Sequence, residues 1–347
     1  MDNLIEKLEK TRSLTLGEYK ALIDAFCPEL AKVLAEKADA VRRRVYGNKV
    51  FIRGLIEVSN ICKIDCFYCG IRASNKKCDR YRISADEILE CAREGYKLGF
   101  RTFVLQGGED GYFTDERVED IIKRIKAEMP DCAVTLSLGE RSKDSYQRLF
   151  DAGADRYLLR HETADSGHYG KLHPSELSLE NRMNCLRALR EIGYQVGCGF
   201  MVGSPYQTNE HIAKDLKFIE EFQPDMCGIG PFIPHKDTPF AEFSAGTAEF
   251  TCYLLSIVRL ICPEVLLPAT TALGSIKEGG REEGSQAGAN VVMPNLSPKS
   301  VREKYMLYNN KLSSGDEAAE AVRELDKKIR SVGYEIVTDR GDRRKEK

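Results

Sequence analysis

The chain has 347 residues, of which 42% are hydrophobic and 31% charged, and its formal net charge at pH 7 is −2. A chain of this length and apolar content can bury a large core, either as two domains or as one large barrel. The near-neutral charge gives no broad attraction to phosphate backbones or anionic lipid, which argues against nucleic acid and membranes as partners.

The N-terminal stretch and the twelve cysteines bear on the cellular compartment. MDNLIEKLEK alternates charged and apolar residues, without the apolar core of a signal peptide, and no window of the chain is long enough to cross a bilayer. Twelve cysteines would suit a disulfide framework in a short secreted protein, but this chain is long. We therefore expect a cytoplasmic protein whose cysteines mostly remain thiols.

Residues 1–46 are predicted to form a helical cap, and from about residue 50 short apolar runs alternate with amphipathic ones. Ser84 and Glu87 have the spacing of a capping box at the start of one helix. Glycines that allow a left-handed helix end stand just before four of the apolar runs, at Gly99, Gly153, Gly193 and Gly288. The runs, read as strands covered on both faces, are 50–58, 101–106, 132–138, 155–160, 194–201, 225–230, 266–272 and 289–293.

Eight strands alternating with helices predict an α/β fold, a (β/α)8 TIM-type barrel, and not the five or six strands of a doubly wound sheet. The sixth run is weak in composition, so an incomplete barrel stays an alternative. We assign the barrel to residues 47–308 and a C-terminal extension to 309–347. This extension is predicted to contain a helix at 316–332 and, from residue 339, a disordered tail.

The stretch CKIDCFYCG follows the first predicted strand, on the side of a barrel where active sites are built. A structural zinc site would need four ligands, and the other nine cysteines form no second CxxC. An iron–sulfur cube held by three thiolates keeps one iron free to bind a small molecule through an amine and a carboxylate. The alternatives are three unligated thiols or a zinc site with a distant fourth ligand.

CxxxCxxC with an aromatic residue before the last cysteine resembles the radical S-adenosylmethionine (SAM) superfamily. The resemblance implies that Cys62, Cys66 and Cys69 hold a 4Fe–4S cluster, that the free iron binds the methionine part of SAM, and that reductive cleavage yields a 5′-deoxyadenosyl radical. It also implies a one-electron donor. The remaining SAM contacts expected from it are Tyr68, the GGE turn Gly107, Gly108 and Glu109, and Met201 against adenine.

Longer stretches are similar to the HydE group of FeFe-hydrogenase maturases over roughly residues 40–308; they are RYLLRHETA, ENRMNCL, GIGPFIPHKDTP, LPATTALG and VVMPNLSP. The resemblance implies action on an iron–cysteine precursor of the hydrogenase H-cluster, alongside other maturases. Glu162 would bind the SAM ribose, and Arg182 its carboxylate, which suits a guanidinium. Some members hold a second cluster with cysteines beyond the barrel, but this chain has none after Cys262, so we expect one cluster.

The same resemblance implies a polar inner cavity that binds the substrate, lined by Gln106, Thr135, Arg156, Arg160, Thr270, Thr271, Met293, Tyr305 and Tyr308. Two arginines inside a barrel are costly unless they meet an anion, and Arg156 and Arg160 lie on one face of a strand. We therefore expect a small anionic substrate. The alternative is a pair of salt bridges to carboxylates on the outer helices.

The five histidines show no catalytic pattern. Alternation along the strand points His161 away from the barrel interior, so we interpret it as structural. His235 is expected to shape the rim of the site, and His168, His173 and His211 to lie on the surface.

Three other functions stay open. A methylornithine-synthase-like mutase shares the barrel frame, and a biotin-synthase-like sulfur inserter would need ligands for a second cluster, for which Cys132 and Cys198 lie on strands. A non-enzymatic carrier of iron–sulfur clusters would have no use for SAM-binding residues. Total iron and SAM cleavage discriminate these alternatives from the maturase.

Overall fold

The structure, a computed structural model, describes residues 1–312 and 318–344, with side chains from residue 320 in the second range. Three helices, α1 (Asp2–Thr11), α2 (Leu16–Asp24) and α3 (Pro28–Tyr46), precede the strands. Thr15 and Glu18 close a capping box at the start of α2, and Pro28 occupies the first turn of α3, where its missing N–H is not needed.

The rest of the chain alternates strands and helices. The strands are β1 (Lys49–Ile52), β2 (Gly54–Ser59), β3 (Thr102–Gly107), β4 (Ala133–Ser137), β5 (Arg156–Leu158), β6 (Gln195–Cys198), β7 (Met201–Val202), β8 (Met226–Cys227), β9 (Gly230–Pro231), β10 (Val291–Val292) and β11 (Glu335–Val337). The helices are α4 (Ala85–Lys97), α5 (Asp115–Glu128), α6 (Lys143–Asp151), α7 (Ser166–Leu172), α8 (Leu179–Ile192), α9 (Asn209–Phe222), α10 (Ala248–Ile261), α11 (Thr271–Ile276), α12 (Gly280–Gln286), α13 (Lys299–Arg302) and α14 (Ala318–Ser331).

The central sheet is parallel and has six strands in the order β2-β3-β4-β5-β6-β8. This confirms an α/β fold whose sheet is consistent with a (β/α)-type barrel. β1 pairs in parallel with β10 and with β11. Single parallel bridges add Met226 to Leu266, Pro268 to Val291 and Leu55 to Asn295.

Two local predictions are confirmed. Both hydrogen bonds of the capping box between Ser84 and Glu87 are present at the start of α4. Gly99, Gly153, Gly193 and Gly288 all have positive φ, between 93° and 113°, which a residue with a Cβ adopts only at a cost. These positions therefore end one helix and direct the chain into the following strand.

The C-terminal prediction is partly wrong. α14 confirms a helix, although residues 316 and 317 of the predicted range lie outside the described residues, as do 345–347 of the tail. Residues 339–344 are not disordered: Arg340 pairs with Asp155 at 3.0 Å, and Asp342 pairs with Arg156 at 2.5 Å. Composition suggested disorder, but the charges of the tail are matched individually at the amino ends of the strands.

All twelve cysteines are free thiols. Within residues 1–312 and 318–344, no helix is both long enough and apolar enough to cross a bilayer.

Candidate functional site

The segment 62–70, called the cysteine loop below, follows the carboxyl end of β2. Asp65 fixes its shape by accepting hydrogen bonds from Arg72 at 2.7 and 2.6 Å. The N–H of Phe67 donates to Leu172 O at 3.0 Å, which ties the loop to α7. An added Cβ at Gly70 would lie 2.2 Å from Met306 O, so the last residue of the motif must be glycine for residues 305–308 to pack on the loop.

The three motif cysteines are partly buried, and Cys66 and Cys69 are each within electrostatic range of another motif thiol. Burial raises the pKa of Cys66 to about 12 and also raises the pKa of Cys62 and Cys69. Cys62 further disfavours the thiolate of Cys66, and Cys62 and Cys66 that of Cys69. Such thiolates need cationic compensation, which iron supplies, and thiolate is the donor that iron–sulfur clusters use. Among residues 1–312 and 318–344, no three potential ligands are gathered closely enough for a single metal ion.

The GGE turn packs directly on the cysteine loop. The N–H of Glu109 points at Cys62 Sγ at 3.3 Å, and the N–H of Gly108 donates to Ser59 O at 3.1 Å. A Cβ at Gly108 would lie 2.3 Å from Ile61 O. Residue 108 must therefore be glycine, because the backbone of Ile61 leaves no room for a side chain. This close packing places Gly107 and Glu109 beside Cys62.

An apolar cluster borders the other side of the cysteine loop. Met201 is buried among Leu172, Phe232 and Phe240, and both aromatic residues of the loop, Phe67 and Tyr68, pack against this cluster. The carboxyl end of the fifth predicted strand therefore provides an apolar wall next to the cysteines.

Glu162 and Arg182 both contact Arg160. Arg182 is buried and donates from Nε to Glu140 Oε1 and from Nη1 to Arg160 O, both at 2.5 Å. Glu162 Oε2 lies 3.1 Å from Arg160 Nη2. Sequence reasoning missed Glu140, because nothing in the chain near it indicates its partner 42 residues later.

The histidine predictions are corrected at two positions. His168 and His173 are buried, each about 1% exposed, and the surface assignment is wrong for both. His173 Nδ1 faces Tyr169 O at 3.1 Å and must donate there, so Nε2 accepts from the Tyr68 hydroxyl at 3.1 Å. His173 thus positions the aromatic residue that precedes the last motif cysteine.

A segment that follows α13 brings two predicted substrate residues over the cysteine side of the sheet. The N–H of Gly70 donates to Leu307 O at 2.9 Å, and the N–H of Asn309 donates to Pro234 O at 3.0 Å. Tyr305 is fully buried and its hydroxyl lies 3.5 Å from Gln106 Nε2. Burial raises the pKa of Tyr308 to about 12, so its hydroxyl keeps its proton.

The other predicted substrate residues differ in their hydrogen bonds and packing. Thr270 precedes α11 and has a buried hydroxyl without a hydrogen bond, as does Thr135 on β4, while Thr271 Oγ1 accepts from Arg281 at 3.3 Å. Met293 packs in a separate cluster with Met226. The hydroxyls of Thr135 and Thr270 are thus neutral groups with unused hydrogen-bonding capacity.

Arg156 and Arg160 differ sharply. Arg156 begins β5 and is fully buried; its guanidinium donates to Asp342, Gln195, Thr102 and the carbonyl of Arg340 at 2.5 to 3.0 Å. Its carboxylate partner comes from the C-terminal segment, not from an outer helix. By contrast, Nε and Nη2 of Arg160, beyond the other end of β5, are buried without a hydrogen bond.

Sequence reasoning also missed two buried charges in the first strand. Arg53 Nε and Nη2 have no hydrogen-bond partner in the described part of the chain, although Nη1 reaches Met226 Sδ at 2.5 Å. Glu57 pairs with Lys311. The signal was present, because Arg53 and Glu57 interrupt the apolar run VFIRGLIEV, where a charge must be paired.

Three motif cysteines, a GGE turn and a parallel sheet define a radical SAM enzyme, and comparison with known proteins agrees. Residues 56–219 match the family described as the Radical SAM superfamily, and the chain belongs to this superfamily. It therefore uses a 4Fe–4S cluster and SAM, and the three partly buried thiols of the motif fit that cluster.

Nearly the whole chain is similar to one particular maturase. It is 43% identical over 342 residues to the FeFe-hydrogenase maturase subunit HydE of Thermotoga maritima, covering 99% of this chain and 97% of that protein. A 3-methylornithine synthase of Methanosarcina acetivorans is 28% identical over 96% of this chain and 94% of its own length. The crystal structure of methylornithine synthase (PylB) has the same fold, with a TM-score of 0.82 at 24% identity over 96% of this chain and 97% of that one.

Proposed function

We propose that this enzyme acts in the maturation of FeFe hydrogenase, on an iron–cysteine precursor complex of the H-cluster. The observation that carries the proposal is 43% identity to a HydE subunit over almost the full length of both proteins. The identity is much higher than the 28% shared with a 3-methylornithine synthase of similar coverage. The cytoplasm is the proposed location, supported by the twelve free thiols.

The proposal includes a closed (β/α)8 barrel over residues 47–308 between helical extensions. It is supported by the single parallel bridges from Met226 to Leu266 and from Pro268 to Val291, which extend the pairing from β8 towards β10. β10 pairs with β1, which runs into β2 after Arg53. These contacts would bring the two edges of the six-stranded sheet together.

We assign cluster binding to Cys62, Cys66 and Cys69. When bound, the cluster and SAM supply one-electron cleavage of the C5′–S bond. The assigned roles of the chain are to place the backbone of Gly107, Gly108 and Glu109 towards the methionine amino group, Glu162 towards the ribose, Arg182 towards the carboxylate, and Tyr68 and Met201 along the adenine side. The hydrogen bond from Arg182 to Glu140 supports a fixed orientation of that guanidinium.

The proposed substrate is a small anion held inside the barrel. The support is electrostatic: Arg53 Nε and Nη2 and Arg160 Nε are buried without a hydrogen bond among the described residues, and such groups are costly unless an anion meets them. Arg160 Nη2 lies 3.1 Å from Glu162 Oε2, which matches part of its charge. The residues assigned to this cavity are Gln106, Thr135, Arg156, Arg160, Thr270, Thr271, Met293, Tyr305 and Tyr308. A one-electron donor and other hydrogenase maturases are the proposed partners.

The test uses the full chain with its cluster reconstituted under anaerobic conditions. Reduced protein should convert SAM to 5′-deoxyadenosine, and the conversion should accelerate with the iron–cysteine complex. Added to a maturation mixture lacking HydE, it should restore hydrogenase activity. Acceleration by lysine instead would favour a methylornithine-synthase-like mutase, and no SAM cleavage under either condition would exclude both enzymes.

Iron content separates the remaining alternatives. The proposal requires about four irons per chain, the content of one cube. Clearly more iron, lost on changing Cys132 or Cys198, would favour a biotin-synthase-like enzyme with a second cluster.

A further inference from the structure

Glu162 has a backbone conformation that its side chain does not favour. Its φ is 65°, in the left-handed region, which few residues other than glycine, asparagine and aspartate adopt without cost. The residue is also buried. A strained, buried, charged residue keeps this conformation only when its surroundings impose it.

Neighbouring backbone groups account for part of this constraint. The N–H of Glu162 donates to Gly199 O at 3.0 Å, and Glu162 forms a parallel bridge with Phe200. Gly199 itself has a φ of 150°, and an added Cβ there would lie 2.0 Å from Gly228 O. The segment that receives Glu162 therefore has little freedom to move.

A buried histidine supplies a second contact to the same segment. The imidazole of His161 is fully buried, and its Nδ1 faces the N–H of Gly199 at 3.2 Å. Because an N–H can only donate, Nδ1 must accept and the ring proton must lie on Nε2. Burial lowers the pKa of His161 to about 3, so the ring is neutral and unsuited to act as a base that gains charge here.

Asp215 of α9 contacts residues that precede and follow Glu162 in the chain. Its Oδ1 lies 3.3 Å from His161 Nε2 and accepts the N–H of Ala164 at 2.5 Å. One fully buried carboxylate thus faces the residue before Glu162 and holds the backbone two residues after it. Oδ2 of the aspartate meets no solvent and makes no hydrogen bond within the described residues, and the contact of Oδ1 with His161 Nε2 does not have the geometry of a hydrogen bond.

We infer that His161 and Asp215 are positioning residues, which lock the 161–164 turn so that the carboxylate of Glu162 is presented to the SAM ribose. The inference rests on the proposed role of Glu162. Neither residue touches SAM; both act through the backbone conformation of Glu162. Their loss should therefore weaken SAM binding while leaving the cluster intact.

The experiment measures the Kd of SAM for reconstituted full-length protein, with the absorption spectrum of the cluster and thermal unfolding recorded for each variant. Asp215→Ala should raise the Kd about tenfold, because a small misplacement of a binding group has effects of this size. Asp215→Asn keeps an acceptor for Ala164 and should raise the Kd much less. Glu221→Ala is the control: it removes an exposed carboxylate of the helix that carries Asp215 and should leave the Kd unchanged.

A double variant decides whether the network acts through Glu162. In protein carrying Glu162→Ala, adding Asp215→Ala should cause no further rise in the Kd, because residues that act as one unit are not additive. Additive rises would overturn the inference, and so would an unchanged Kd in Asp215→Ala together with a raised Kd in Glu162→Ala. An unchanged Kd in Glu162→Ala would instead refute the ribose assignment.

Should Asp215→Ala fail to fold, His161→Asn provides the same test. Its amide oxygen can replace Nδ1 as the acceptor for Gly199, whereas nothing replaces Nε2 opposite Asp215. A raised Kd that disappears in the Glu162→Ala background supports the inference, and a Kd equal to that of the unaltered protein contradicts it.

Discussion

Replacing Asp342 with asparagine tests whether the C-terminal segment stabilises the base of the sheet through Arg156. The Arg156 side chain has no exposed surface, and Asp342 is the carboxylate that receives its hydrogen bond at 2.5 Å. Asparagine keeps a carbonyl oxygen for Arg156 but removes the charge and the Oδ2 acceptor for Arg340 Nε. The guanidinium would then remain buried among neutral acceptors.

The magnitude follows from the burial of the two partners. Removing one member of a fully buried ion pair costs about 3–5 kcal/mol, but the Asp342 side chain is 41% exposed, so solvent screening lowers the expected loss to about 2 kcal/mol. Urea unfolding followed by circular dichroism measures this difference. Glu324→Gln, which breaks an exposed pair with Lys327, is the control and should leave the stability nearly unchanged.

The pH dependence gives a second test. Burial alone would raise the pKa of Asp342, but the attraction of Arg156 and the hydrogen bonds from Gln195, Arg340 and Arg156 together outweigh it and leave the pKa lowered. The folded protein therefore holds the proton less tightly than the unfolded chain, whose aspartates titrate near ~3.9. The stabilisation is complete above about pH 5 and is lost as pH falls through the folded pKa. Equal losses in Asp342→Asn and Glu324→Gln at pH 7 would refute the reasoning.

Four further substitutions test cluster binding, SAM binding, turnover and fold stability one at a time. Cys66→Ala should remove iron and SAM cleavage together, as measured by iron assay and 5′-deoxyadenosine formation. Arg182→Ala should keep the cluster spectrum and raise the Kd of SAM about tenfold, since a charge-assisted pair is lost. Arg160→Ala should slow turnover at least about tenfold and change that Kd much less than Arg182→Ala does, although Arg160 Nη2 pairs with Glu162. Lys311→Met should destabilise the fold by about 3–5 kcal/mol in urea unfolding, because its carboxylate partner is fully buried.

Matched variants accompany these changes. Cys78→Ala removes a half-buried thiol outside the motif and should retain iron, and Arg187→Ala removes an arginine on the exposed face of α8 and should bind SAM normally. Lys327→Met should cost little stability, because its ion pair is exposed. Full iron in Cys66→Ala, normal turnover in Arg160→Ala, or equal stability of the Lys311 and Lys327 variants would each contradict the corresponding role.

Local patterns account for what the sequence predicted well. The capping box of Ser84 and Glu87 lies within one helical turn. The glycines at helix ends, such as Gly153, are required by the positive φ of that one residue. Strands covered on both faces appear as apolar runs, so their positions were visible without knowledge of their partners. The cysteine loop combines all its ligands in eight residues. In each case the physical cause lies within a short stretch of chain.

Contacts between distant residues explain what was missed. Arg156 and Asp342 are 186 residues apart, and Glu57 and Lys311 are 254 apart. Composition identified each charge but not its partner, so the tail was predicted to be disordered, and Lys311 drew no attention. Only the fold brings these groups together.

The distribution of charges inside the barrel indicates at which end of β5 an anionic substrate would bind. At the amino end of β5 the chain supplies its own carboxylate, Asp342, and hydrogen bonds reach all three nitrogens of Arg156. Beyond the carboxyl end, Arg160 Nε is buried without a hydrogen bond among the described residues, and Nη2 lies 3.1 Å from the carboxylate of Glu162. An incoming anion would therefore gain most beside Arg160, on the side where the cysteine loop lies, whereas at Arg156 it would have to displace a carboxylate already bound. This asymmetry favours reaction at the cysteine side of the barrel and assigns Arg156 mainly to long-range attraction.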